Sequence, residues 1–453
     1  MLFRLDRGGG RTSGALWLPI IYLLINGSRP LSFWLQPQNG SSAEQMVEGS
    51  PLDRAIYLGL ILASAIVLAG RQSAVLKFLT LNTPMLLFTL YCAVSVTWSD
   101  YPDVALKRWI RLLGDFTMVI IVLTDPDRTR AIKRILANVG FVLIPVSVLL
   151  IKYYPDAARF YDPYTGRQYV SGVATDKNML GMTCLIYGLA ALWRFLLLYR
   201  EKKSRERTRR MIAHGSLLAM VFWLFSSADS MTSLSCFFMG AGLLVATTFL
   251  KTARKPVIVH LMVGTIVGVS FAVLFLQVGG GALQSMGRNS TLTGRTEIWA
   301  VILNFAGNPL FGTGYDSFWL GKRLEKIWAS GSYLMGINEA HNGYLETYLN
   351  LGWIGVALLV LLVVTGYRNV LAALRVNSDL GRLRLSFLVV AVVYNFTEAA
   401  FRTSGTVWSI FLLTIAAVPG FVTFKRSQEG GGSEADVDWT ASLRTRQESL
   451  VSG

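Results

Sequence analysis

Apolar runs separated by short polar segments make up most of the chain. A helix of about 20 apolar residues crosses the hydrocarbon core of a bilayer. The pattern therefore predicts an all-α polytopic membrane protein with about twelve transmembrane helices. The predicted spans are residues 15–25, 55–70, 83–98, 109–123, 135–151, 179–198, 211–225, 233–250, 256–278, 351–367, 385–399 and 407–424.

The composition supports a membrane protein. Hydrophobic residues make up 53% of the chain and charged residues 15%, and the mean hydropathy is +0.46. Soluble proteins carry about 25% charged residues. A soluble enzyme and a nucleic-acid-binding domain are thereby excluded, although the net charge is +16. Cys92, Cys184 and Cys236 lie in apolar runs, which indicates core residues rather than a disulfide framework.

The basic residues predict how the helices are oriented. Lys and Arg concentrate in alternate loops, on the side of the N-terminus, and cytoplasmic loops carry such an excess. We therefore expect a bacterial inner-membrane protein with both termini in the cytoplasm and its long loops in the periplasm. No small-residue cleavage site follows the first span, so we expect an uncleaved anchor. The densest basic segment, 200–210, reflects this topology or, alternatively, binds anionic lipid headgroups.

Four regions follow from the span pattern. Residues 1–278 hold helices one to nine, and residues 279–350 form one large, mostly helical periplasmic loop. Residues 351–424 hold the last three helices, and residues 425–453 form a Gly/Ser-rich cytoplasmic tail that we expect to be disordered. No inner loop has room for a cytosolic catalytic domain. We therefore expect any chemistry in the large loop and the helix ends that meet it.

Charged residues within or beside spans are candidates for function, because their burial in a membrane is costly. Arg108, Arg111 and Asp115 share one helical face. They either anchor the helix at the interface with a structural ion pair or line a polar cavity. Glu398 precedes Arg402 by four residues, and the two form a mutual pair or face a cavity.

Three further cations are candidates for anion binding. Arg288 and Arg295 flank a Ser/Thr-rich turn in the large loop. Guanidinium groups in a turn rich in donors suit phosphate or diphosphate, although surface arginines are also common. Lys177 precedes the sixth span and either marks the membrane interface or faces an anionic ligand.

The end of the large loop holds a candidate general base. His341 lies just before the tenth span, and an imidazole with a pKa near 6.5 is the usual base at neutral pH. No second His or Cys lies near it in sequence, so we expect no metal site and no cofactor. Gly312 and Gly314 form a turn that either lets backbone approach a ligand or simply reverses the chain.

Several motifs resemble those of the bacterial O-antigen ligase and Wzy-type polysaccharide polymerase superfamily, which includes exopolysaccharide polymerases. His341-Asn342, nine residues, Gly352, two residues and Gly355 fit its His-Asn-x9-Gly-x-x-Gly pattern. Two further segments of the loop look like its shared block: Thr291-Leu292-Thr293-Gly294-Arg295-x-x-x-Trp299 and Pro309-Leu310-Phe311-Gly312-x-Gly314. Lys177-Asn178-x-x-Gly181 resembles its Lys-Asn-x-x-Gly element.

The resemblance implies a GT-C-like glycosyltransferase. Its donor would be a glycan on undecaprenyl diphosphate, and its acceptor a sugar hydroxyl on lipid A-core (for a ligase) or on another lipid-linked chain (for a polymerase). By analogy, His341 would take the acceptor proton or orient the hydroxyl, and Arg295, with Arg288, would hold the diphosphate. Lys177 and Arg111 would add to the diphosphate site. The supporting residues would be Asn342, Glu398, Gly312 and Gly314.

One departure from the family pattern concerns the segment 227–233. Many relatives carry Arg or Lys where this chain has Met231, so Lys177, Arg111 or Arg108 replaces that cation or diphosphate binding is weaker. The alternative function is a transporter or flippase of lipid-linked oligosaccharide, for which we find no internal repeat. A non-catalytic scaffold is the third possibility. Ligase and polymerase are not distinguished by the sequence.

Overall fold

The computed structural model describes residues 1–6, 12–35, 49–161, 168–250, 255–276, 295–402 and 405–418. Apart from a short antiparallel hairpin of β1 (Arg159–Tyr161) and β2 (Gln168–Val170), its regular elements are helices. The predicted all-α fold is confirmed. The α-helices are α1 (Leu2–Leu5), α2 (Trp17–Asn26), α3 (Leu31–Leu35), α4 (Pro51–Ala69), α5 (Gln72–Leu81), α6 (Thr83–Ser95), α7 (Pro102–Leu123), α8 (Arg128–Tyr153), α9 (Pro155–Ala158), α10 (Lys177–Arg200), α11 (Arg205–Ala228), α12 (Met231–Phe249), α13 (Pro256–Phe275), α14 (Arg295–Leu303), α15 (Gly321–Ala329), α16 (Gly343–Val376), α17 (Ser378–Tyr394) and α18 (Thr406–Ile415).

Seven helices of the described chain are long and apolar enough to cross a membrane: α4, α8, α10, α11, α12, α13 and α16. An eighth candidate is the pair α5 and α6, which is bent by 89°. The other four predicted spans coincide with α2, α7, α17 and α18, which are shorter or carry more charge. Each predicted span thus contains a helix, and the number that crosses the membrane stays a prediction.

The core of the bundle is built around α10 and α17. Helix α10 packs against α8, α11 and α12, and α17 packs against α12, α16 and α18. In contrast, α13 lies at the periphery, and Val259 is its only buried side chain. Residue 418 ends the last described segment, so the predicted disordered tail lies outside the described residues.

The described part of the large loop folds around a small core of its own. Helices α14 and α15 and a 3-10 turn at Ser332–Leu334 surround buried apolar side chains that include Ile302, Phe318 and Ile327. The predicted helical content of this loop is therefore present from residue 295 onward. Residues 279–294 lie outside the described residues. We refer to the end of the bundle that carries this loop as the loop end.

A break in α16 fixes the loop to the bundle. Gly352 has φ 64°, a left-handed conformation that favours glycine. The Gly314 N–H donates to the carbonyl of Asn350 at 2.9 Å, and the Trp353 N–H donates to the carbonyl of Pro309 at 2.9 Å. A Cβ atom at Gly312 would overlap the backbone of Asn350. The glycine turn therefore allows close approach to a helix backbone, which neither sequence interpretation anticipated.

Candidate functional site

Asn342 positions His341 at the loop end. Its side chain Oδ1 accepts the N–H groups of Tyr344 and Leu345, each at 3.0 Å, and so caps the N-terminus of α16. Its Nδ2 donates to the carbonyl of Phe396 at 3.2 Å, which ties the cap to the end of α17. His341 precedes the cap with φ 48°. The predicted supporting role of Asn342 thus has a physical basis in helix capping.

Two carboxylates flank the His341 ring. Its Nδ1 lies 2.9 Å from Oε1 of Glu339 and 3.6 Å from Oε2 of Glu398. The Glu398 residue is only 6% exposed. Arg295, at the start of α14, donates from Nη2 to Oε1 of Glu398 at 3.0 Å. The candidate residues Arg295, His341 and Glu398 therefore lie in one cluster.

Arg402 continues this cluster away from Arg295. Its Nη1 lies 3.3 Å from Oε2 of Glu339, and its Nη2 lies 3.9 Å from Oδ1 of Asp316. Arg108, on α7, lies 3.5 Å from Oδ2 of Asp316. The expectation of a mutual Glu398–Arg402 pair is not met, because each residue contacts a different partner once the chain leaves α17.

The cluster is a row of alternating charges. In order, its members are Arg295, Glu398, His341, Glu339, Arg402, Asp316 and Arg108. Each carboxylate lies between two cations when His341 is protonated. This arrangement connects α7, α14 and the end of α17.

The row controls the protonation of His341. Burial lowers the pKa of His341, but the carboxylates of Glu339 and Glu398 outweigh burial and raise that pKa to about 9. Burial raises the pKa of Glu339, whereas His341 and Arg402 outweigh it and leave that pKa below its usual value. At neutral pH the ring is therefore an imidazolium, and the neutral base expected from the sequence is the minor form.

Glu346 is a further buried carboxyl group that the sequence analysis missed. It is 3% exposed and accepts hydrogen bonds from Trp319 Nε1 at 2.8 Å and from the Ala340 N–H at 2.9 Å. Asn350 Nδ2 donates to it at 3.1 Å. Glu346 thus holds the backbone that precedes His341. Its position one turn into α16 and four residues before Asn350 was the sequence signal that could have identified it as a buried, hydrogen-bonded carboxyl group.

The other predicted cations lie apart from His341 in the described contacts. The Lys177 ammonium lies 4.0 Å from the ring centroid of Tyr169. Arg111 donates from Nη2 to the Tyr57 hydroxyl at 2.8 Å. Met231 is 45% exposed in the first turn of α12. Arg288 lies outside the described residues, so its place in the site stays a prediction.

The described residues contain one group with the spacing of metal ligands. Potential ligand atoms of Glu339, His341 and Glu398 all lie within 4.8 Å of one another. The sequence analysis considered only His and Cys as neighbours and so did not find this group. Arg295 and Arg402 each contact one of the two carboxylates and balance their charge. That balance favours an ion-pair network over a site for a divalent cation.

Comparison with known proteins agrees with the motifs. Residues 215–360 match the family Wzy_C, described as O-Antigen ligase. The matched region includes Arg295, both loop glycines, His341 and the break at Gly352. The family model thus covers the part of the chain that carries most of the sequence motifs. The resemblance inferred from the sequence motifs is thereby confirmed.

One curated relative extends the comparison beyond this domain. The chain is 26% identical over 294 residues to the exopolysaccharide production protein ExoQ of Rhizobium meliloti (strain 1021). The alignment covers 62% of this chain and 63% of the relative, which is less than two thirds of the relative's length. The chain is therefore similar both to a family described as O-Antigen ligase and to a protein of exopolysaccharide production.

Proposed function

We propose that the protein is an inner-membrane glycosyltransferase with its loop end in the periplasm. It would move a saccharide from undecaprenyl diphosphate to a sugar hydroxyl, as an O-antigen ligase or as an O-antigen or exopolysaccharide polymerase. The observation that carries this proposal is the row Arg295–Glu398–His341–Glu339 at the loop end. It combines a guanidinium, an imidazolium and two carboxylates within one cluster.

Arg295 is the proposed ligand of the donor diphosphate. Its side chain is 23% exposed, and its guanidinium contacts one carboxylate of the described residues, Glu398, at 3.0 Å. A diphosphate offers more negative charge and more oxygen atoms, so it would compete with Glu398 for the guanidinium fork. The same contact stabilises the charge that develops on the leaving diphosphate. Arg288, Lys177 and Arg111 stay in the proposal as further donor contacts.

His341 is proposed to act as an imidazolium. With a pKa of about 9, it holds its proton at neutral pH and can orient the acceptor hydroxyl or contact a phosphate oxygen. This role corresponds to the second of the two expected from the family resemblance. The acceptor proton then passes to the Glu339 carboxylate, which lies 2.9 Å from Nδ1. Asn342, Glu398, Gly312 and Gly314 support this geometry.

The partners follow from the same proposal. The donor is a glycan on undecaprenyl diphosphate, and the acceptor is lipid A-core or the end of a lipid-linked chain. A lipid carrier reaches the site laterally from the bilayer, since His341 and Glu398 lie at the ends of α16 and α17.

Substitutions at two residues test the proposal. His341→Ala should abolish glycan transfer by the purified protein, and Arg295→Lys should lose most of it, because an ammonium lacks the bidentate fork. Lys326→Ala, on the exposed side of α15, is the matched control and should keep full transfer. Full transfer by His341→Ala would contradict the assignment. Leaflet exchange of the donor without transfer would instead support a flippase.

A further inference from the structure

A pocket lies at the end of the bundle opposite the loop end. Its lining includes Leu123, the last residue of α7, and Arg128, the first residue of α8. Near its start, α7 contacts the large loop through Arg108 and Asp316, so its last residue lies at the far end of the bundle. In the orientation proposed above, this far end faces the cytoplasmic leaflet of the membrane.

The pocket has room for a phosphate group. It holds about 110 Å³ of space open to a ligand. A single water molecule needs only ~10–15 Å³ by this measure, so a phosphate group fits. One wall is fixed by Asn82, which is 3% exposed and exchanges two hydrogen bonds with the backbone of Ala417, at 2.7 and 3.1 Å. The buried side chains of Phe78 and Leu123 also line the pocket.

Two cations line the pocket, and neither contacts a carboxylate of the described residues. Lys77, on α5, is exposed, and Arg128 is partly exposed. The Arg128 Nε donates to the carbonyl of Leu123 at 2.8 Å, which holds the guanidinium in place. Its two terminal nitrogens have no hydrogen-bond partner in the described part of the chain, and neither is sealed from solvent. They are therefore available to the oxygen atoms of an anion.

The acidic residues that precede Arg128 in the chain are engaged outside the pocket. Asp125 is 2% exposed and accepts two backbone N–H groups, each at 3.2 Å. Asp127 contacts Arg130 at 3.4 Å. Arg71 donates to Oγ1 of Thr124, a lining residue, at 3.1 Å and adds a third positive charge nearby. The pocket is therefore positively charged, with no carboxylate in its lining.

Helix α5 indicates that the pocket lies at the surface of the membrane. It is bent by 89° from α6, and because α6 is a predicted span, α5 then lies along the bilayer surface. Leu76, next to Lys77, is 64% exposed, as expected for an apolar side chain that reaches the acyl chains. A free phosphate ion would contact the cations alone, whereas a phospholipid would also contact this apolar surface.

We propose that this pocket binds the phosphate group of an anionic phospholipid, with Lys77 and Arg128 as its ligands. The guanidinium fork matches phosphate oxygens, and the ammonium adds a point charge. A zwitterionic headgroup carries its own cation beside the phosphate, so it should bind less tightly. The site lies apart from the His341 cluster, and the inference does not depend on the transferase reaction.

Titration of the purified full-length protein with phosphatidylglycerol, read by native mass spectrometry, measures this binding. Lys77→Gln combined with Arg128→Gln should weaken it roughly thirtyfold, because each removes one cation from the headgroup. Ala74→Phe fills the pocket but keeps both cations, so it should also weaken binding. The matched control is Arg368→Gln combined with Arg375→Gln, which removes two exposed cations of α16 and should keep the wild-type affinity.

Phosphatidylcholine with the same acyl chains and inorganic phosphate serve as comparison ligands. Weaker phosphatidylglycerol binding in both pocket variants, with the control unchanged and phosphatidylcholine bound less tightly, supports the site. Unchanged affinity in the pocket variants, or equal losses in the control, overturns it. Displacement of bound phosphatidylglycerol by millimolar inorganic phosphate would show a free-anion site instead. Neither donor nor acceptor enters this assay, so each of these results leaves the proposed transferase function intact.

Discussion

The protonation of His341 can be measured without knowing either substrate. The pKa of His341 is raised from 6.5 to about 9, a difference that corresponds to ~3 kcal/mol in favour of the imidazolium. Burial opposes this shift, so the two carboxylates supply more than the net amount. Glu339 is the nearer of the two, at 2.9 Å against 3.6 Å for Glu398.

Glu339→Gln should therefore return the pKa of His341 to its usual value or below it. The expected decrease is about 2 pH units or more, because burial then opposes a single, more distant carboxylate. The chain has three His, so a histidine-labelled sample should give three sets of NMR signals. The signal that is missing in His341→Gln identifies His341. Glu325→Gln, on the exposed surface of α15, is the control and should leave the titration unchanged.

The same shift has a consequence for stability. Because the folded-state pKa of His341 lies above its unfolded value, its stabilising contribution is complete below pH 6.5 and is lost as the pH rises through about 9. Wild-type protein should thus lose more stability between pH 7 and pH 10 than Glu339→Gln does. A wild-type His341 that titrates near pH 6.5, or one unaffected by Glu339→Gln, would refute the charged row.

Two further predictions concern the cap and metals. Asn342→Ala should lower the unfolding free energy by ~1 kcal/mol, while Asn342→Asp keeps the cap oxygen and most of that stability; thermal unfolding in detergent measures both. Equal losses in the two variants would argue against capping. Transfer should continue in excess EDTA, since Arg295 and Arg402 already balance the carboxylates around His341. Loss of transfer that a divalent cation restores would show a metal site at Glu339, His341 and Glu398.

The sequence identified part of this site because some of its signals are local. The spacing from His341 to Gly352 follows from one helix start and one helix break, both encoded within a few residues. Arg295 is the first residue of a helix, and Glu398 lies close to the end of a membrane span. Both were therefore recognisable from the sequence as charged residues near helix ends. The apolar pattern likewise predicted a helix in each of the spans, since membrane burial acts on every residue of a span.

The partners of these residues were not predictable, because they come from distant parts of the chain. Glu398 and Arg402 are four residues apart, which suggested a helical pair, but α17 ends at Tyr394 and the chain then turns. Glu339 lies two residues from His341, but this spacing alone does not show that its carboxylate contacts the ring. The raised pKa of His341 depends on both carboxylates, so its charge state could not be read from the motif.

The contacts of the glycine turn were likewise not predictable from the sequence. The sequence left open whether Gly312 and Gly314 let backbone approach a ligand or simply form a turn. Only the fold shows that Gly312 approaches the backbone of Asn350, beside the break in α16. Two distant glycine positions, 312 and 352, therefore serve one contact between the loop and the bundle.

In the proposed reaction, saccharide leaves a diphosphate carrier at the loop end of this protein. Proteoliposomes loaded with the lipid-linked glycan and an acceptor test it most directly, by counting undecaprenyl diphosphate released per saccharide transferred. We predict a ratio of one to one for the wild type and no release of either product for His341→Ala. Donor that changes leaflet without release of undecaprenyl diphosphate would contradict the account.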